Sequence, residues 1–405
     1  MVKRKEYLDR LLTWKDDKVI KVVTGMRRCG KSTLLLQYQD LLRERGVSDK
    51  QIIYLNFEEL ENEHLLNYKA LYGYIKESLC ENKMNYIFLD EIQNVKEYEK
   101  SIDSLYVKDN TDIYITGSNS YLLSGELATL LTGRYIEISM LPLSFKEYCE
   151  LSESSGDTAL SEYMRYGGMP YLASMNKAVA KADEYIEGIY NTVILKDIEE
   201  RQLRKENNPN KRKITDVSLL RTISKYLASV VGNPVSVKSV TDYLCSNVAK
   251  ISPNTVSSYM DALAEAFIFY PTDRMDVVGK EILKLHKKWY IVDLGIRNHI
   301  LPKKNYDLGF SLENIIFLEL IRRNYKVNIG KSTNGEIDFV AQKEGVFTYY
   351  QVTADMTEEK TFNREITPLR ELKDNYEKII LTLDRYTVGN YDGIKVINAL
   401  DWLTE

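Results

Sequence analysis

The sequence predicts an α/β protein that begins with a parallel sheet covered by helices. Three observations support this: short apolar runs alternate with amphipathic stretches, a glycine-rich loop joins the first run to a helix, and the chain is long enough for several cores. Alternation of strands and helices is typical of parallel sheets with helices on their faces. The predicted strands of this part cover residues 18–24, 51–57, 86–89, 113–116 and 135–138.

Length and composition limit the class of protein. At roughly 150 residues per domain, 405 residues predict two or three domains. The net charge of −4 excludes a polycation built for nucleic acid, so any DNA contact must be a local patch. Four cysteines without a CxxC pair and three histidines argue against a zinc site and for a reduced compartment. No apolar run resembles a signal peptide or approaches about 18 residues, so we expect a cytoplasmic protein without a membrane span.

Four segments are predicted along the chain. Residues 1–155 form the first α/β domain, 156–213 a helical segment and a linker, 214–305 a winged-helix-like domain, and 306–405 a second α/β domain. The linker is polar and basic over residues 201–213, a composition that suits an exposed connection.

The winged-helix prediction depends on three helical stretches followed by two strands. Ser252-Pro253, an N-cap followed by proline at the first helical position, begins the third helix. Strands at 267–270 and 289–292 would form the wing. The final segment alternates again, with predicted helices at 312–323 and 364–372 and predicted strands at 336–341, 347–352 and 378–383.

A phosphate-binding loop joins the first strand to the following helix. Gly25-Met26-Arg27-Arg28-Cys29-Gly30-Lys31-Ser32 fits GxxxxGK[ST] without departure. Its glycines let backbone N–H groups turn toward phosphates, and the helix N-terminus adds partial positive charge. Lys31 would hold the β and γ phosphates, and Ser32 would ligate magnesium. The sequence therefore predicts ATP and Mg²⁺ as cofactors, in a site that comprises Gly25, Arg27, Arg28, Gly30, Lys31, Ser32 and Thr33.

Polar residues at the ends of later strands complete the predicted site. Asp90 would support the metal through water, and Glu91 would polarise the attacking water. Asn119, or Ser118 in its place, would sense the γ-phosphate, the alternative being a capped turn. Arg134 would stabilise transition-state charge in cis or in trans, the alternative being a surface arginine beside a strand.

Further motifs accompany the phosphate loop along nearly the whole chain. They are Leu89-Asp90-Glu91-Ile92-Gln93, Thr116-Gly117-Ser118-Asn119, Leu130-Leu131-Thr132-Gly133-Arg134, Leu141-Pro142-Leu143-Ser144-Phe145, Tyr166-Gly167-Gly168-Met169-Pro170-Tyr171, Tyr290-Ile291-Val292-Asp293-Leu294-Gly295, Glu313-Asn314 and Gly335-Glu336-Ile337-Asp338-Phe339. With these motifs the chain resembles bacterial and archaeal AAA-type ATPases that carry a C-terminal domain of unknown function. The resemblance implies an ATPase core, a winged-helix middle and a C-terminal fold similar to that of PD-(D/E)xK nucleases. It implies no particular substrate.

The final α/β segment carries an incomplete nuclease-like site. Glu313 on a helix and Asp338 on a strand match acidic positions of that layout. Gln351 and Thr353 stand where its second carboxylate and its lysine belong. An amide is a poor ligand for Mg²⁺, and threonine brings no charge to the attacking water. We therefore expect a degenerate site that does not cut DNA.

Two lysines offer an alternative to that expectation. Lys331 or Lys343 could enter the site in place of the missing lysine, since relocated groups can satisfy the same geometry. The plainer interpretation is that both are solvated, that Glu336 is solvated and that Asp338 is a polar strand residue.

The partner class stays open between DNA and protein. The third helix of the middle segment would be the recognition helix of a winged helix, and basic side chains of residues 201–213 could contact phosphates. Winged helices also contact proteins, so the fold does not choose. The residues of that helix available to bases are Asn254, Thr255, Ser257 and Ser258.

Three functions follow from these expectations. The leading one is an ATP-driven enzyme that acts on or responds to DNA. The second is a nucleotide-dependent signalling or defence switch that binds protein partners, and the third is an ATP-dependent nuclease. A homo-oligomer would suit an arginine supplied in trans.

Overall fold

The computed structural model describes residues 2–117, 133–175, 179–192, 216–248, 250–301, 307–332 and 335–405. They form two compact units, Met1–Leu141 with Glu265–Phe267 and Pro142–Ala264 with Ile268–Glu405. The first unit therefore ends earlier than the predicted boundary at residue 155. The reason is that the segment after Leu141 packs on later helices: the hydroxyl of Tyr163 donates to the carbonyl oxygen of Leu143 at 2.7 Å.

The first unit is a parallel sheet with helices between its strands. The strand order is β2-β3-β4-β1-β5, and every pairing is parallel. The strands are β1 (Ile20–Thr24), β2 (Ile52–Asn56), β3 (Asn85–Asp90), β4 (Thr111–Gly117) and β5 (Tyr135–Ser139). The helices are α1 (Lys5–Thr13), α2 (Lys31–Glu44), α3 (Tyr68–Ser78) and α4 (Tyr98–Tyr106), with short 3-10 helices at Asp49–Gln51, Leu60–Leu65 and Ile92–Asn94. Each predicted strand overlaps an observed one, so the prediction of a parallel α/β sheet is confirmed.

This sheet is buried on both faces. One face packs against α1 and α2, with Leu11 and Leu34 in the contact, and the other packs against α3 and α4, with Ile75 and Ile102. Burial on both sides explains why the strands are mostly apolar instead of alternating between apolar and polar residues. Parallel pairing brings the carboxyl ends of β1, β3 and β4 to one edge, where the segments that follow them lie side by side.

The second unit combines helices with a mixed sheet. Its strand order is β13-β14-β12-β11-β10-β9-β7-β8-β6. The strands are β6 (Pro234–Val235), β7 (Phe269–Asp276), β8 (Glu281–Ile291), β9 (Lys326–Lys331), β10 (Glu336–Lys343), β11 (Val346–Thr353), β12 (Glu377–Thr382), β13 (Gly389–Tyr391) and β14 (Ile394–Asn398). The helices are α5 (Phe145–Ser152), α6 (Gly156–Tyr166), α7 (Pro170–Ser174), α8 (Val179–Thr192), α9 (Val217–Ser229), α10 (Val237–Asn247), α11 (Pro253–Glu265), α12 (Leu294–Ile300), α13 (Leu308–Arg322), α14 (Glu359–Arg370) and α15 (Ala399–Thr404).

The segment predicted as a winged helix contains the three predicted helices and the two predicted strands, together with a short strand, β6, that was not predicted. Helix α9 precedes β6, helices α10 and α11 follow, and β7 and β8 form an antiparallel hairpin with β6 beside β8. Helix α11 begins at Pro253, as predicted, and the backbone N–H of Thr255 donates to the Ser252 hydroxyl at 3.2 Å.

The predicted boundary between residues 305 and 306 does not separate compact units. Strand β7 pairs in parallel with β9, and Arg274 stands opposite Ile329. The free edge of β7, the first strand of the predicted wing, is thus paired with β9, and one sheet continues into the final segment. Strand β9 was not among the predicted strands, and sequence patterns do not show which edges strands share, so this pairing was missed.

Candidate functional site

The phosphate loop lies between β1 and α2 at the carboxyl edge of the first sheet. Gly25 and Gly30 have φ values of 146° and 106°, which residues with a side chain rarely adopt. A Cβ added to Gly25 would lie 2.2 Å from the carbonyl oxygen of Met140. Helix α2 begins at Lys31 with Gly30 as its N-cap, and glycine has no side chain to cap the first N–H groups. The loop therefore presents a helix N-terminus to an anion.

The side chain of Lys31 lies inside this loop. Its Nζ donates to the carbonyl oxygens of Gly25 at 3.1 Å and Met26 at 3.3 Å, and it lies 3.6 Å from Glu91 Oε1. Ser32 and Thr33 follow in the first helical turn and are partly exposed. One ammonium thus links the loop to the acidic end of β3.

The other predicted loop residues border this cradle. Arg27 NH1 lies 3.4 Å from Glu58 Oε1, and Arg28 is exposed with a φ of 63°. Burial raises the pKa of the Cys29 thiol, whose Sγ lies 3.6 Å from the carbonyl oxygen of Met140. Cys29 is therefore a small packing residue in its thiol form.

Asp90 stands fully buried at the end of β3. Thr116 on β4 donates its hydroxyl to Asp90 Oδ1, and Tyr54 on β2 donates its hydroxyl to Oδ2 at 3.1 Å. Burial, followed by the Asp90 charge, raises the pKa of Tyr54, which keeps this phenol a donor. Two neighbouring strands therefore fix the Asp90 carboxylate, and neither partner was predicted from the sequence.

Glu91 has a backbone conformation that residues other than glycine seldom adopt. Its φ is 52°, and such values in non-glycine residues concentrate at functional sites. Its N–H donates to the Thr116 hydroxyl at 2.9 Å, and Gln93 donates its amide to Glu91 Oε2. Thr116 thus orients both members of the acidic pair. Thr116 and Gln93 belong to motifs quoted above, which was the available signal for both.

Arg4 supports the loop from the segment before the sheet. Its guanidinium is 3% exposed and donates to the carbonyl oxygens of Cys29 at 3.1 Å and Leu141 at 2.9 Å. It also lies 5.0 Å from the ring centroid of Tyr7, and the N–H of Leu141 donates to the Tyr7 hydroxyl. No sequence pattern indicates this role, since an arginine before a helix is ordinarily solvated.

The other predicted catalytic residues are Asn119, with Ser118 as its alternative, and Arg134. Asn119 and Ser118 lie outside the described residues. Arg134 precedes β5, whose last residue, Ser139, is level with Thr24 before the loop. Arg134 is five positions before Ser139, so it lies about 16 Å along the strand direction from the level of the phosphate loop, at the usual rise per residue. Arg134 instead pairs with Asp103 at 2.5 Å. Action in cis does not fit this placement, because Arg134 lies at the amino ends of the parallel strands and the phosphate loop lies at their carboxyl ends.

A second cluster of charged side chains lies in the second unit. Lys288 Nζ on β8 lies 3.1 Å from Glu313 Oε1 on α13 and 2.6 Å from Glu336 Oε1 on β10. Tyr290 donates its hydroxyl to Glu313 Oε1 at 2.7 Å. Burial disfavours the charge of Lys288, but the carboxylates of Glu313, Asp338 and Glu336 outweigh it and raise the pKa of Lys288. Sequence reasoning missed Lys288 because it considered only lysines near the final strands.

The other predicted nuclease-like residues border this cluster. Asp338 Oδ2 accepts from the N–H of Val352 at 2.8 Å, and burial followed by the Glu313 charge raises the pKa of Asp338 well above its usual range. Gln351 accepts from the N–H of Asp338 at 3.3 Å and donates to Glu365 Oε2 at 2.8 Å. Thr353 donates to the carbonyl oxygen of Asp355. The structure thus brings Glu313, Asp338 and Gln351 together, while the Thr353 hydroxyl is bonded to the chain that follows.

The two lysines considered for this site lie elsewhere. Lys343 Nζ lies 5.5 Å from the ring centroid of Tyr325, and Lys331 is exposed at the end of β9. Glu336, expected to be solvated, instead pairs with Lys288 and with Arg274. Among the described residues, no set of three or more His, Cys, Asp or Glu side chains is arranged to hold a metal ion.

The predicted DNA-contact residues have mixed exposure. On α11, Asn254 is exposed, whereas Thr255, Ser257 and Ser258 are half-buried. The basic stretch 201–213 lies outside the described residues. No described helix has both the length and the apolar character needed to span a membrane.

The first unit therefore has the fold and loop of a P-loop nucleotide-binding domain. A family model described as an AAA domain matches residues 17–149. A second model, described as a domain of unknown function (DUF8612), matches residues 157–307. That match falls on the middle of the chain, whereas the resemblance had placed such a domain at the C-terminal end.

Two relatives match most of the chain. An uncharacterised protein of Haemophilus influenzae is 39% identical over 411 residues, with 100% of this chain and 99% of the relative covered. The uncharacterised protein MJ1544 of Methanocaldococcus jannaschii is 30% identical over 389 residues, with 90% and 82% covered. The chain belongs to the same protein family as these two relatives. Among solved structures, the Walker-type ATPase PABY2304 of Pyrococcus abyssi matches with a TM-score of 0.50 at 15% identity, over 74% of this chain and 96% of that one, a similarity of fold.

Proposed function

We propose that this protein binds ATP with Mg²⁺ in its first unit and hydrolyses it. The observation that carries the proposal is the convergence of the phosphate loop, Lys31, Asp90 and Glu91 at one sheet edge. The nucleotide would contact Gly25, Arg27, Arg28, Gly30, Lys31, Ser32 and Thr33. The Ser32 hydroxyl and the Asp90 carboxylate offer the oxygen ligands that Mg²⁺ prefers, and the metal would neutralise phosphate charge.

The side chains of the site have separate tasks in this proposal. The ammonium of Lys31 is shared between loop carbonyl oxygens and Glu91. Phosphates carry more negative charge than those partners, so ATP draws Lys31 to itself. Glu91 then accepts the proton of the attacking water, while Gln93 and Thr116 hold Glu91 in position.

Two further residues would complete turnover. Asn119, two positions after the end of β4, would report the γ-phosphate. Arg134 would act in trans on the site of a neighbouring copy, since the phosphate loop of the same chain lies at the carboxyl ends of the strands and Arg134 lies at their amino ends. The proposal therefore includes a homo-oligomer as the active form.

ATP turnover would be coupled to DNA through the second unit. The order of α9, β6, α10, α11 and the β7–β8 hairpin fits a winged helix, and exposed Asn254 begins the helix that would meet bases. The nuclease-like segment would serve as a binding platform without cutting, because Gln351 is already bonded to Glu365.

Turnover measured with and without DNA tests both parts of the proposal. Wild-type protein should hydrolyse ATP, and double-stranded DNA should increase the rate. The Lys31→Ala variant should lose measurable ATP affinity by calorimetry while circular dichroism shows an intact fold. ATP affinity unchanged in Lys31→Ala would refute the site. Hydrolysis that DNA does not alter would refute the coupling and favour a switch that binds protein partners.

A further inference from the structure

Three carboxylates of the second unit surround one buried ammonium group. Glu313 comes from α13, Glu336 and Asp338 come from β10, and Lys288 comes from β8. The Lys288 side chain is 4% exposed and the Glu313 side chain 10% exposed, so solvent screens their charges only weakly. Acidic groups in such a place must be neutralised by a bound cation, by protons or by a basic side chain.

The distances show which of these neutralises the cluster. Lys288 Nζ makes ion pairs with both Glu313 and Glu336, at 3.1 and 2.6 Å. Arg274 adds a weaker contact at 3.5 Å to the second oxygen of Glu336. Lys288 and Arg274 together supply two positive charges, the same charge as one divalent metal ion.

The residues expected to complete a metal site are used otherwise. Gln351 cross-links the Asp338 backbone to Glu365, and one oxygen of Asp338 accepts from the Val352 backbone. A divalent ion would have to displace Lys288 before it could reach Glu313 and Glu336 together. The ion would lose water ligands for that exchange, and the displaced ammonium would be left in a buried place without its partners.

A nearby hydroxyl supplies an additional oxygen. Thr272 on β7 is 3% exposed and stands opposite Lys288 in the β7–β8 register, so both side chains project from the same face of the sheet. Its Oγ1 has no hydrogen-bond partner among the described residues. A hydroxyl of this kind is a suitable oxygen ligand for a hard cation if the ammonium is removed.

We propose that Lys288 is the built-in cation of this acidic centre, which therefore binds no divalent metal until the ammonium is taken away. The lysine keeps Glu313, Glu336 and Asp338 together and closes the site at the same time. Removing it converts the centre into a divalent metal site formed by these carboxylates and the Thr272 hydroxyl. This inference is independent of the proposed ATP hydrolysis, because every residue in it belongs to the second unit.

Manganese binding to the nucleotide-free full chain tests the inference. The number of tightly bound Mn²⁺ ions per chain is counted by electron paramagnetic resonance for wild type, Lys288→Met, Lys288→Arg and the double variant Lys288→Met, Asp338→Asn. Lys288→Met should bind one more Mn²⁺ than wild type, while Lys288→Arg, which keeps the cation, and the double variant should bind no more than wild type. Ions held near Asp90 are common to all four proteins and cancel.

Thermal unfolding supplies the second measurement. Lys288→Met should unfold at a lower temperature than wild type in EDTA and recover in Mn²⁺, whereas wild type should be unaffected by the metal at this centre. A wild-type Mn²⁺ ion that disappears in Asp338→Asn would overturn the inference, because the centre would then be an open metal site. A folded Lys288→Met or Lys288→Gln chain that gains no Mn²⁺ would overturn it as well, and so would a Lys288→Met chain that Mn²⁺ fails to stabilise.

Discussion

The hydroxyl of Thr116 should control both the stability of β3 and β4 and the rate of ATP hydrolysis. It accepts the Glu91 N–H at 2.9 Å and donates to Asp90, and the residue is fully buried. Valine has nearly the same shape but no hydroxyl. Thr116→Val therefore removes the described acceptor of the Glu91 N–H and one of the two hydroxyl donors described for Asp90.

The magnitude follows from these two losses. A buried donor left unsatisfied costs about 1–3 kcal/mol, and a hydrogen bond to a charged group contributes about 1.5–3 kcal/mol. Because the two losses share one environment and do not simply add, we expect a free-energy loss of about 2–5 kcal/mol in local stability. Displacement of the acidic pair should also slow hydrolysis by roughly 10²-fold, the usual cost of misplacing catalytic groups by about 1 Å.

Hydrogen exchange is the suitable assay for stability, since a chain of two compact units need not unfold in one step. Peptides covering β3 and β4 should exchange faster in Thr116→Val, while peptides of the second unit should be unchanged. Thr116→Ser, which keeps the hydroxyl, should restore most of the protection and most of the turnover. Wild-type protection and turnover in Thr116→Val would show that the hydroxyl has no such role.

Three further outcomes are expected. Glu91→Gln should bind ATP normally but hydrolyse it about 10²- to 10⁴-fold more slowly, so that ATP stays trapped in a filter-binding assay; hydrolysis at the wild-type rate would remove Glu91 as the base. Arg134→Ala and Lys31→Ala should each be inactive alone yet recover turnover when mixed, because one subunit supplies the intact site and the other the arginine; a mixture without recovery would contradict action in trans. Plasmid and single-stranded DNA should stay uncut by wild type with ATP and Mg²⁺ or Mn²⁺; cleavage that Asp338→Ala abolishes would show that the nuclease-like site is active.

The sequence by itself determined the strands of the first unit and the phosphate loop. Local patterns suffice for these, because apolar runs define buried strands and the loop motif specifies its own backbone from Gly25 to Ser32. The positions of Asp90 and Glu91 could be predicted for the same reason, since the carboxyl ends of parallel strands meet at one edge. The nucleotide site is thus largely encoded within short stretches of chain.

Only the tertiary structure decided which distant residues support these sites. Arg4 donates to Cys29 in the loop and, across 137 positions, to Leu141. Thr116 connects β4 to the acidic pair, and Lys288 lies in a cluster that was predicted without it. Even β1 contains a charged residue, Lys21, whose Nζ is paired at 2.5 Å with buried Asp112 on β4. Each of these contacts depends on which strands and helices become neighbours. Such contacts follow from the register in which whole strands and helices pack. In the same way, the pairing of β7 with β9 joined two segments that the sequence patterns had separated.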